Sequence, residues 1–436
     1  MKLPSTGASR AAIADEMERA RTGDADHRHA RTFSLVYHAG DDVLEVAREA
    51  YVRFFSENAL NPMAFPSLRG FERDVVSMTL DLLHAPAGSA GSMTSGGSES
   101  LLMAVKTARD WARATRPEVT RPEMLLPVTA HPALEKAAHY FDVVPVHIPV
   151  GPDFRADVKA AERLISPNTI LVVASAPAYP HGVIDPVAPL AELAQRHGAL
   201  CHVDACLGGF LLPFVERLGR PLPAFDFRVP GVTSMSADIH KYGFAAKGAS
   251  LVLYRTRELR RHQYFVYPDW PGGLYGSPSM TGTRPGGAIA AAWAVLRYLG
   301  EEGYVRLART TMETTDALRR GIAAMAGLSI LGEPDLSVLA FASSTVDVYM
   351  LADRMEQHGW KLDRQQLPPC LHLMVTPAHA AVVEPFLADL RAAVAELAET
   401  KPVPEGAAAM YGMFGASPDR GVVGSFILDF MDGLDQ

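Results

Sequence analysis

The chain has 436 residues, of which 48% are hydrophobic and 21% are charged. This balance is typical of globular proteins and excludes a disordered chain, a collagen-like fibre and a small disulfide-stapled scaffold. The net charge of −8, with histidine neutral, provides no basic surface, so we expect no nucleic-acid partner. The three cysteines (Cys201, Cys206 and Cys370) are too few for a disulfide framework and indicate a reducing compartment.

No run of about 18 apolar residues occurs, so we expect no transmembrane segment. Residues 1–32 carry charges throughout and lack the apolar stretch of a signal peptide. These features together predict a soluble, cytoplasmic protein.

The pattern of apolar residues in the first 85 positions predicts helices. Apolar residues recur with a period of 3.6 between Val43 and Phe55, and the pattern resumes over Phe71–Leu83 after a break at Asn58–Pro66, which contains two prolines. The next segment, Ala85–Gly97, is rich in Gly, Ser, Ala and Thr and predicts a loop.

The middle of the chain alternates between strand and helix patterns. Short apolar runs predict strands at Leu125–Val128, Val143–Ile148, Ile170–Ala174 and Ala199–Val203. Helical patterns occur at Ser98–Ala114, Pro132–Phe141, Ala156–Leu164 and Pro189–His197. This order predicts a mostly parallel sheet with helices on both faces, and such sheets bind ligands beyond the carboxyl ends of their strands.

From Leu307 the pattern changes to that of a separate α+β domain. Helices are predicted up to Met325 and over Val382–Glu399, and the tail from Gly406 is expected to hold a Gly- and Met-bearing loop followed by a helix at Val422–Leu434. Strands are predicted at Leu328–Leu331, Val338–Ala342 and Leu371–Val375. We therefore expect three units: a helical segment at 1–85, a large α/β domain at 86–306 and an α+β domain at 307–436.

The segment Thr94–Ser100 has the composition of a phosphate-binding loop. The paired glycines Gly96 and Gly97 allow close approach of the backbone, while Ser98 and Ser100 can cap the following helix and donate hydroxyl groups. A Gly-rich turn with an ordinary helix cap would have the same composition.

Three further residues stand at positions suited to ligand binding. Asp204 ends an apolar strand, where it either binds a ligand or caps the next turn, and a metal site with His202 lacks further ligands. His131 follows another strand and could stack on a flat ring. Lys241 lies in a small, turn-prone segment; it is either a solvated surface lysine or a Schiff-base lysine, which needs desolvation and neighbours that lower its pKa.

The order of these four elements is more specific than any one of them. Pyridoxal 5′-phosphate has a phosphate, a flat pyridine ring, a ring nitrogen that favours a carboxylate and an aldehyde that reacts with a lysine. The Gly-rich loop, His131, Asp204 and Lys241 match these groups one to one. The sequence therefore predicts a pyridoxal 5′-phosphate site and no metal site.

The chain resembles the sphingosine-1-phosphate lyase family, which are fold-type I enzymes of the group II pyridoxal-phosphate decarboxylase superfamily. The resemblance covers nearly the whole chain from about Phe33. It is carried by the segments Gly96–Ser100, Pro180–Pro186, His202–Phe210, Ser236–Gly243, Ala246–Gly248, Asp269–Gly273, Gly282–Gly287 and Met410–Met413. It implies an aspartate aminotransferase-like fold, a homodimer with shared active sites and a small-molecule amine substrate.

The resemblance also implies roles for individual residues. Lys241 would form the Schiff base, Asp204 would pair with the ring nitrogen and His131 would stack on the ring. Residues expected to bind the cofactor phosphate are Gly97, Ser98 and His240, with Gly282 and Thr283 acting across the dimer interface. Residues expected to bind substrate are Lys247 and Tyr179, together with Tyr37, Asn58 and Asn61 of the partner chain.

One residue departs from the family pattern. The segment Asn58–Pro62 usually reads Asn-Pro-Leu-His-Pro in the family, and here Asn61 replaces the histidine that helps to bind the substrate phosphate. An asparagine still donates a hydrogen bond but lacks the charge that makes such a bond about twice as strong. This change weakens the case for a phosphorylated long-chain base as substrate.

The implied reaction is retro-aldol cleavage of a phosphorylated long-chain base to a fatty aldehyde and phosphoethanolamine. The general base stays open among Lys247, Tyr37, His131 and the cofactor phosphate. Amino-acid decarboxylation and cleavage of a smaller or unphosphorylated β-hydroxy amine are the alternatives, and the intact Lys241 and Asp204 argue against an inactive binding protein.

Overall fold

The computed structural model describes residues 2–61, 63–400 and 402–434. The helices are α1 (Arg10–Ala20), α2 (Asp41–Arg53), α3 (Pro66–Leu82), α4 (Gly97–Thr115), α5 (Ala133–Phe141), α6 (Val158–Leu164), α7 (Val187–Arg196), α8 (Leu212–Arg217), α9 (Arg257–Arg261), α10 (Gly286–Ala323), α11 (Val348–Gln357), α12 (Val383–Thr400), α13 (Gly406–Ala416) and α14 (Arg420–Gly433), with a short 3₁₀ helix at Pro377–Val382. The strands are β1 (Ala90–Thr94), β2 (Glu123–Pro127), β3 (Val144–Ile148), β4 (Thr169–Ser175), β5 (Leu200–Asp204), β6 (Ser234–Ala237), β7 (Ser250–Tyr254), β8 (Phe265–Tyr267), β9 (Tyr275–Ser277), β10 (Leu328–Ile330), β11 (Val338–Ser343), β12 (Asp363–Gln365) and β13 (Cys370–Met374).

The predicted parallel sheet is confirmed. Its strand order is β1-β7-β6-β5-β4-β2-β3, and the strands from β3 to β6 pair in parallel, while β7 and β1 are antiparallel to their neighbours. Every residue of β4 and β5 is buried, as expected for strands covered by helices on both faces. The carboxyl ends of β4, β5 and β6 therefore meet at one edge of the sheet.

The prediction of a loop over Ala85–Gly97 is wrong, because Ala90–Thr94 forms the edge strand β1. Its residues are too small to show a strand pattern, yet all five are buried and pair with β7. A Cβ atom at Gly91 would lie 2.5 Å from the Leu253 side chain, so the small residue is what allows the two strands to approach.

The C-terminal tail also differs from expectation. Gly406–Ala416 forms the helix α13, not a loop, while the predicted final helix is confirmed as α14. Tertiary contacts stabilise α13 in spite of its glycines. The Tyr411 ring lies 5.5 Å from that of Tyr349, and the Ala408 N–H donates to Asp353.

A second sheet, with the order β10-β11-β13-β12, is antiparallel throughout and has its own apolar core. Trp360 and Phe386 are fully buried there, and they enclose Phe33 from the N-terminal segment. The helix α10 passes through the expected boundary at 306/307, with non-helical backbone at Gly300. No helix in the described ranges is long and apolar enough to cross a membrane.

Gly182 lies in the segment between β4 and α7 and approaches the second sheet closely. Its φ is +68°, and a Cβ atom there would collide with the carbonyl oxygen of Val338 in β11. Gly198 has a similar φ of +63° but open space around it, so it is a matched control.

We expect Gly182→Ala to destabilise the protein more than Gly198→Ala. Each substitution lowers the free energy of unfolding by about 1–2 kcal/mol, because alanine is strained in the left-handed backbone. The collision with Val338 adds about 2 kcal/mol or more to the loss in Gly182→Ala. The free energy of unfolding, measured by urea titration of both variants, checks this. Equal losses would show that the segment after β4 is not held against β11 at this glycine.

Candidate active site

A cavity of about 390 Å³ opens where β4, β5 and β6 end, beside the N-terminus of α4. Its volume lies within the usual range for small-molecule sites. Seven of the residues selected from the sequence line it: Gly97, Ser98, His131, Tyr179, Asp204, His240 and Lys241. The structure thus brings together side chains from five separate segments of the chain.

The N-terminus of α4 forms one wall of the cavity. Among the residues that the structure describes, no side chain caps it, because its N-cap residue is Gly96 and the Ser100 hydroxyl instead contacts Thr94 and Ser250 in the core. The expectation that Ser98 or Ser100 caps the helix is therefore wrong. The first amides of this 19-residue helix remain available to an anion, which the helix dipole also favours.

Lys241 lies in the turn that follows β6 and forms an ion pair with Asp238, with 3.0 Å between Nζ and Oδ2. Burial is the largest influence on the pKa of Lys241 and lowers it. The charge and hydrogen bond of Asp238, together with Cys206 and the charge of Asp204, outweigh burial in sum and hold the pKa above its usual value. These groups therefore raise the pKa of Lys241, opposite to the expected lowering. Sequence reasoning missed Asp238, although it lies within the quoted segment Ser236–Gly243.

Asp204 ends β5 and lies at the cavity wall. Its Oδ1 accepts hydrogen bonds from the Cys206 N–H at 3.0 Å and from the Ser236 hydroxyl at 3.1 Å. Its Oδ2 accepts none from the residues that the structure describes. One carboxylate oxygen is therefore held in place while the other is available to a ligand.

Two histidines of the cavity are neutral donors. Burial lowers the pKa of His131, and it lowers the pKa of His240 to about 4. The Nδ1 atom of each ring accepts a backbone N–H, from Ala133 at 3.1 Å and from Ala249 at 3.2 Å. Each Nε2 atom must therefore carry the ring proton.

Tyr179 is fixed by a residue that sequence reasoning missed. Its hydroxyl donates to Asp363 Oδ2 at 2.9 Å, and Asp363 Oδ1 accepts the Ser34 hydroxyl at 3.0 Å. The Tyr179 ring also stacks on His372, with 4.3 Å between ring centres. Asp363 thus connects the N-terminal segment, the cavity and the second sheet.

Lys247 and Tyr37 lie next to each other, near the cavity but not among its lining residues. Lys247 Nζ is 4.9 Å from the centre of the Tyr37 ring and donates to the His240 carbonyl oxygen at 3.2 Å. Burial and the charge of Lys241 lower the pKa of Lys247 to about 8. The Tyr37 hydroxyl is directed towards the sulfur of Met374, 3.0 Å away.

Four of the selected residues lie away from the cavity of their own chain. The Asn58 amide donates to the Thr283 hydroxyl at 3.2 Å, and Asn61 accepts the Met63 N–H at 2.9 Å. Asn61, Gly282 and Thr283 are exposed. None of the four lines the cavity in a single chain.

The residues of the cavity fit pyridoxal 5′-phosphate. The uncapped N-terminus of α4 suits a phosphate, the available oxygen of Asp204 suits a protonated ring nitrogen, and His131 provides a flat neutral ring. Lys241 is the one lysine among the lining residues. A Cβ atom at Gly97 would lie 2.8 Å from Asp238, so glycine is required where the helix meets this cluster.

Comparison with known proteins agrees with this geometry. Residues 1–344 match the model of the pyridoxal-dependent decarboxylase conserved domain. A glutamate decarboxylase of Lactobacillus brevis, 21% identical, shares the fold with a TM-score of 0.79 over 92% of this chain and 97% of its own. The protein is therefore a pyridoxal-phosphate-dependent enzyme of fold type I.

Closer relatives define the family. A sphingosine-1-phosphate lyase of Oryza sativa is 44% identical over 99% of this chain and 81% of its own length, and the Rattus norvegicus enzyme is 41% identical over 99% and 76%. A structure of a Burkholderia pseudomallei sphingosine-1-phosphate lyase, 39% identical, superposes with a TM-score of 0.88 over 92% of this chain and 94% of its own. The chain belongs to the sphingosine-1-phosphate lyase family.

The ion pair with Asp238 predicts how Lys241 captures the cofactor. The neutral amine is the nucleophile, so capture accelerates as the pH rises towards the pKa of Lys241. Without the carboxylate, burial lowers this pKa, and each unit of lowering raises the neutral fraction at pH 7 about tenfold. We therefore expect Asp238→Asn to capture pyridoxal phosphate faster than the wild type at pH 7.

The rate is measured from the appearance of the visible absorption band after pyridoxal phosphate is added to cofactor-stripped protein. Lys241→Ala is the control, since it has no amine to react. A rate in Asp238→Asn that is equal to or below that of the wild type would contradict the expected lowering of the lysine pKa.

Proposed function

We propose that the protein cleaves a phosphorylated long-chain base, such as sphingosine 1-phosphate, to a fatty aldehyde and phosphoethanolamine. The observation that carries this proposal is the single cavity that joins Lys241, Asp204 and His131 to the N-terminus of α4. The similarity to sphingosine-1-phosphate lyases along nearly the whole chain supports the same reaction. The proposal places the protein in sphingolipid metabolism.

Pyridoxal phosphate, when bound, supplies the electron sink for the breaking Cα–Cβ bond. The amides of Gly97 and Ser98 and the Nε2–H of His240 would hold its phosphate, and His131 would lie against its ring. Asp204 would keep the proton on the ring nitrogen through Oδ2. Lys241 would bind the aldehyde carbon, give way to the substrate amine and return a proton to Cα.

The proton of the β-hydroxyl group needs a base near Cβ. Lys247 is supported in this role by its pKa of about 8, because a group that titrates near the working pH both accepts and releases protons efficiently. The hydroxyl of Tyr37 is directed towards Met374, which makes Tyr37 a neighbour of Lys247 and less suited to be the base itself. In its ammonium form Lys247 would instead bind the substrate phosphate.

Asn61 supports a second candidate, cleavage of a smaller or unphosphorylated β-hydroxy amine. The side chain is uncharged and exposed, and its oxygen is occupied by the Met63 N–H. A dianionic phosphate therefore finds at this position only the amide N–H groups, without the charge of an imidazolium. Amino-acid decarboxylation by the same cofactor chemistry is the other alternative.

Product analysis separates these candidates. We expect the pyridoxal-phosphate-loaded protein to convert sphingosine 1-phosphate to hexadecenal and phosphoethanolamine, and Lys241→Ala to lose at least about a thousandfold in rate. Mass spectrometry of both products is the measurement. Aldehyde from unphosphorylated sphingosine alone would favour the second candidate, whereas carbon dioxide from amino acids without aldehyde would establish a decarboxylase.

We propose further that the enzyme is a homodimer whose active sites are shared. The support is that Asn58, Asn61, Gly282 and Thr283 lie exposed or half-buried outside the cavity of their own chain. The adjacent β8–β9 hairpin exposes large apolar side chains, which a second copy would cover: Phe265, Val266, Tyr267, Trp270 and Leu274. In the dimer, Gly282 and Thr283 would reach the cofactor phosphate of the partner chain, and Asn58 and Asn61 would reach its substrate. Tyr37, which lies against Lys247, would serve the site of its own chain.

Mixed dimers test the shared sites. Thr283→Glu places a carboxylate against the phosphate in the partner chain, so we expect it to be inactive, as is Lys241→Ala. Half of the randomly mixed dimers contain one intact site, so co-refolding the two variants should restore about one quarter of the wild-type activity. Activity in Thr283→Glu alone, or none in the mixture, would show that each chain builds its site by itself.

We also propose a cytoplasmic location. The three cysteines are free and buried, and free thiols are the rule in reducing compartments. Fractionation of cells that produce the protein, followed by detection of the chain in the soluble cytoplasmic fraction, would test this.

A further inference from the structure

Behind Asp204, buried hydroxyl and imidazole groups form a chain between β5 and β6. Parallel pairing sets His202 opposite Ser234 and Asp204 opposite Ser236. His202 Nδ1 lies 2.9 Å from the Ser234 hydroxyl and Nε2 lies 3.3 Å from the Ser236 hydroxyl, which in turn is 3.1 Å from Asp204 Oδ1. His202 and Ser236 are both fully buried.

The donor and acceptor in each of these hydrogen bonds follow from Asp204, where the series ends. An ionised Asp204 can only accept, so the single proton of Ser236 must be donated to it. The oxygen of Ser236 must then accept, from His202 Nε2–H and from the Cys206 thiol at 3.3 Å. His202 therefore has no proton on Nδ1 and accepts there from Ser234.

Both nitrogens of His202 take part in these hydrogen bonds, so neither has a lone pair available for a metal. This argues against a metal site formed by His202 and Asp204. An apolar residue would be buried at this position with a lower cost in free energy than His202, because each buried polar group must find a hydrogen-bond partner. The chain of donors instead runs in one direction and ends on the carboxylate, where aligned hydrogen bonds strengthen one another and stabilise the anion.

We propose that His202 and Ser236 are positioning residues that hold Asp204 by its Oδ1 atom and direct its Oδ2 atom towards the ring nitrogen of the cofactor. Ser236 acts directly on the carboxylate, and His202 acts through Ser236. This inference rests on the cofactor and not on the substrate of the proposed function. A wrong substrate assignment leaves it intact.

The test is made on holoenzyme loaded with pyridoxal phosphate labelled with nitrogen-15 in the ring. The nitrogen-15 resonance reports whether the ring nitrogen carries a proton, and the dissociation constant of the cofactor is measured in parallel. Ser236→Ala removes the donor to Asp204, and His202→Asn removes the donor to Ser236. His202→Gln keeps a donor near the position of Nε2, and Thr79→Val removes a fully buried hydroxyl on α3, which bonds the Val75 carbonyl.

We expect Ser236→Ala and His202→Asn to move the resonance towards that of an unprotonated ring and to weaken cofactor binding, about tenfold in Ser236→Ala. His202→Gln and Thr79→Val should keep the wild-type resonance. The proposal is overturned if Ser236→Ala and His202→Asn keep it too, or if Thr79→Val shifts it as much. Should Ser236→Ala fail to fold, the contrast between His202→Asn and His202→Gln decides the matter.

Discussion

Parallel strands that lie side by side all end at the same edge of their sheet, and the position of the active site depends on this constraint. Asp204 and Lys241 stand just at or beyond the ends of β5 and β6, and His131 follows β2. The strands themselves are buried on both faces, so their ends are held rigidly by the core. The sheet therefore fixes Asp204 directly and fixes the points from which the segments of His131 and Lys241 begin.

The charges at this edge are few and close together. Asp204, Asp238 and Glu99 contribute three carboxylates, Lys241 contributes one ammonium group, and burial keeps His131 and His240 neutral. A phosphate entering this cavity meets little positive charge within the chain, so the amides of α4 and neutral N–H donors must provide the attraction. Donors from a second chain would add to this set, in agreement with a site completed by two subunits.

The sequence predicted those features that repeat along the chain or lie within short motifs. Apolar periodicity located β4, β5 and most helices, and the motif around Lys241 contributes residues to the candidate cavity. Periodicity failed for β1 and α13, because their small residues are selected by contacts with distant segments. Asp363 was missed for the same reason. Its partners Ser34 and Tyr179 lie 329 and 184 residues away, and nothing in its local sequence indicates either contact.

Asp363 has a consequence for how a ligand can meet Tyr179. A tyrosine hydroxyl has one proton, and this one is already donated to Asp363. The hydroxyl therefore presents only lone pairs to the cavity, which suits an ammonium or hydroxyl group of a ligand. An anionic group could take the proton only after the hydrogen bond to Asp363 is broken. A ligand anion and Asp363 of β12 thus compete for the proton of Tyr179. An anion bound in the cavity would therefore weaken the contact between Tyr179 and β12.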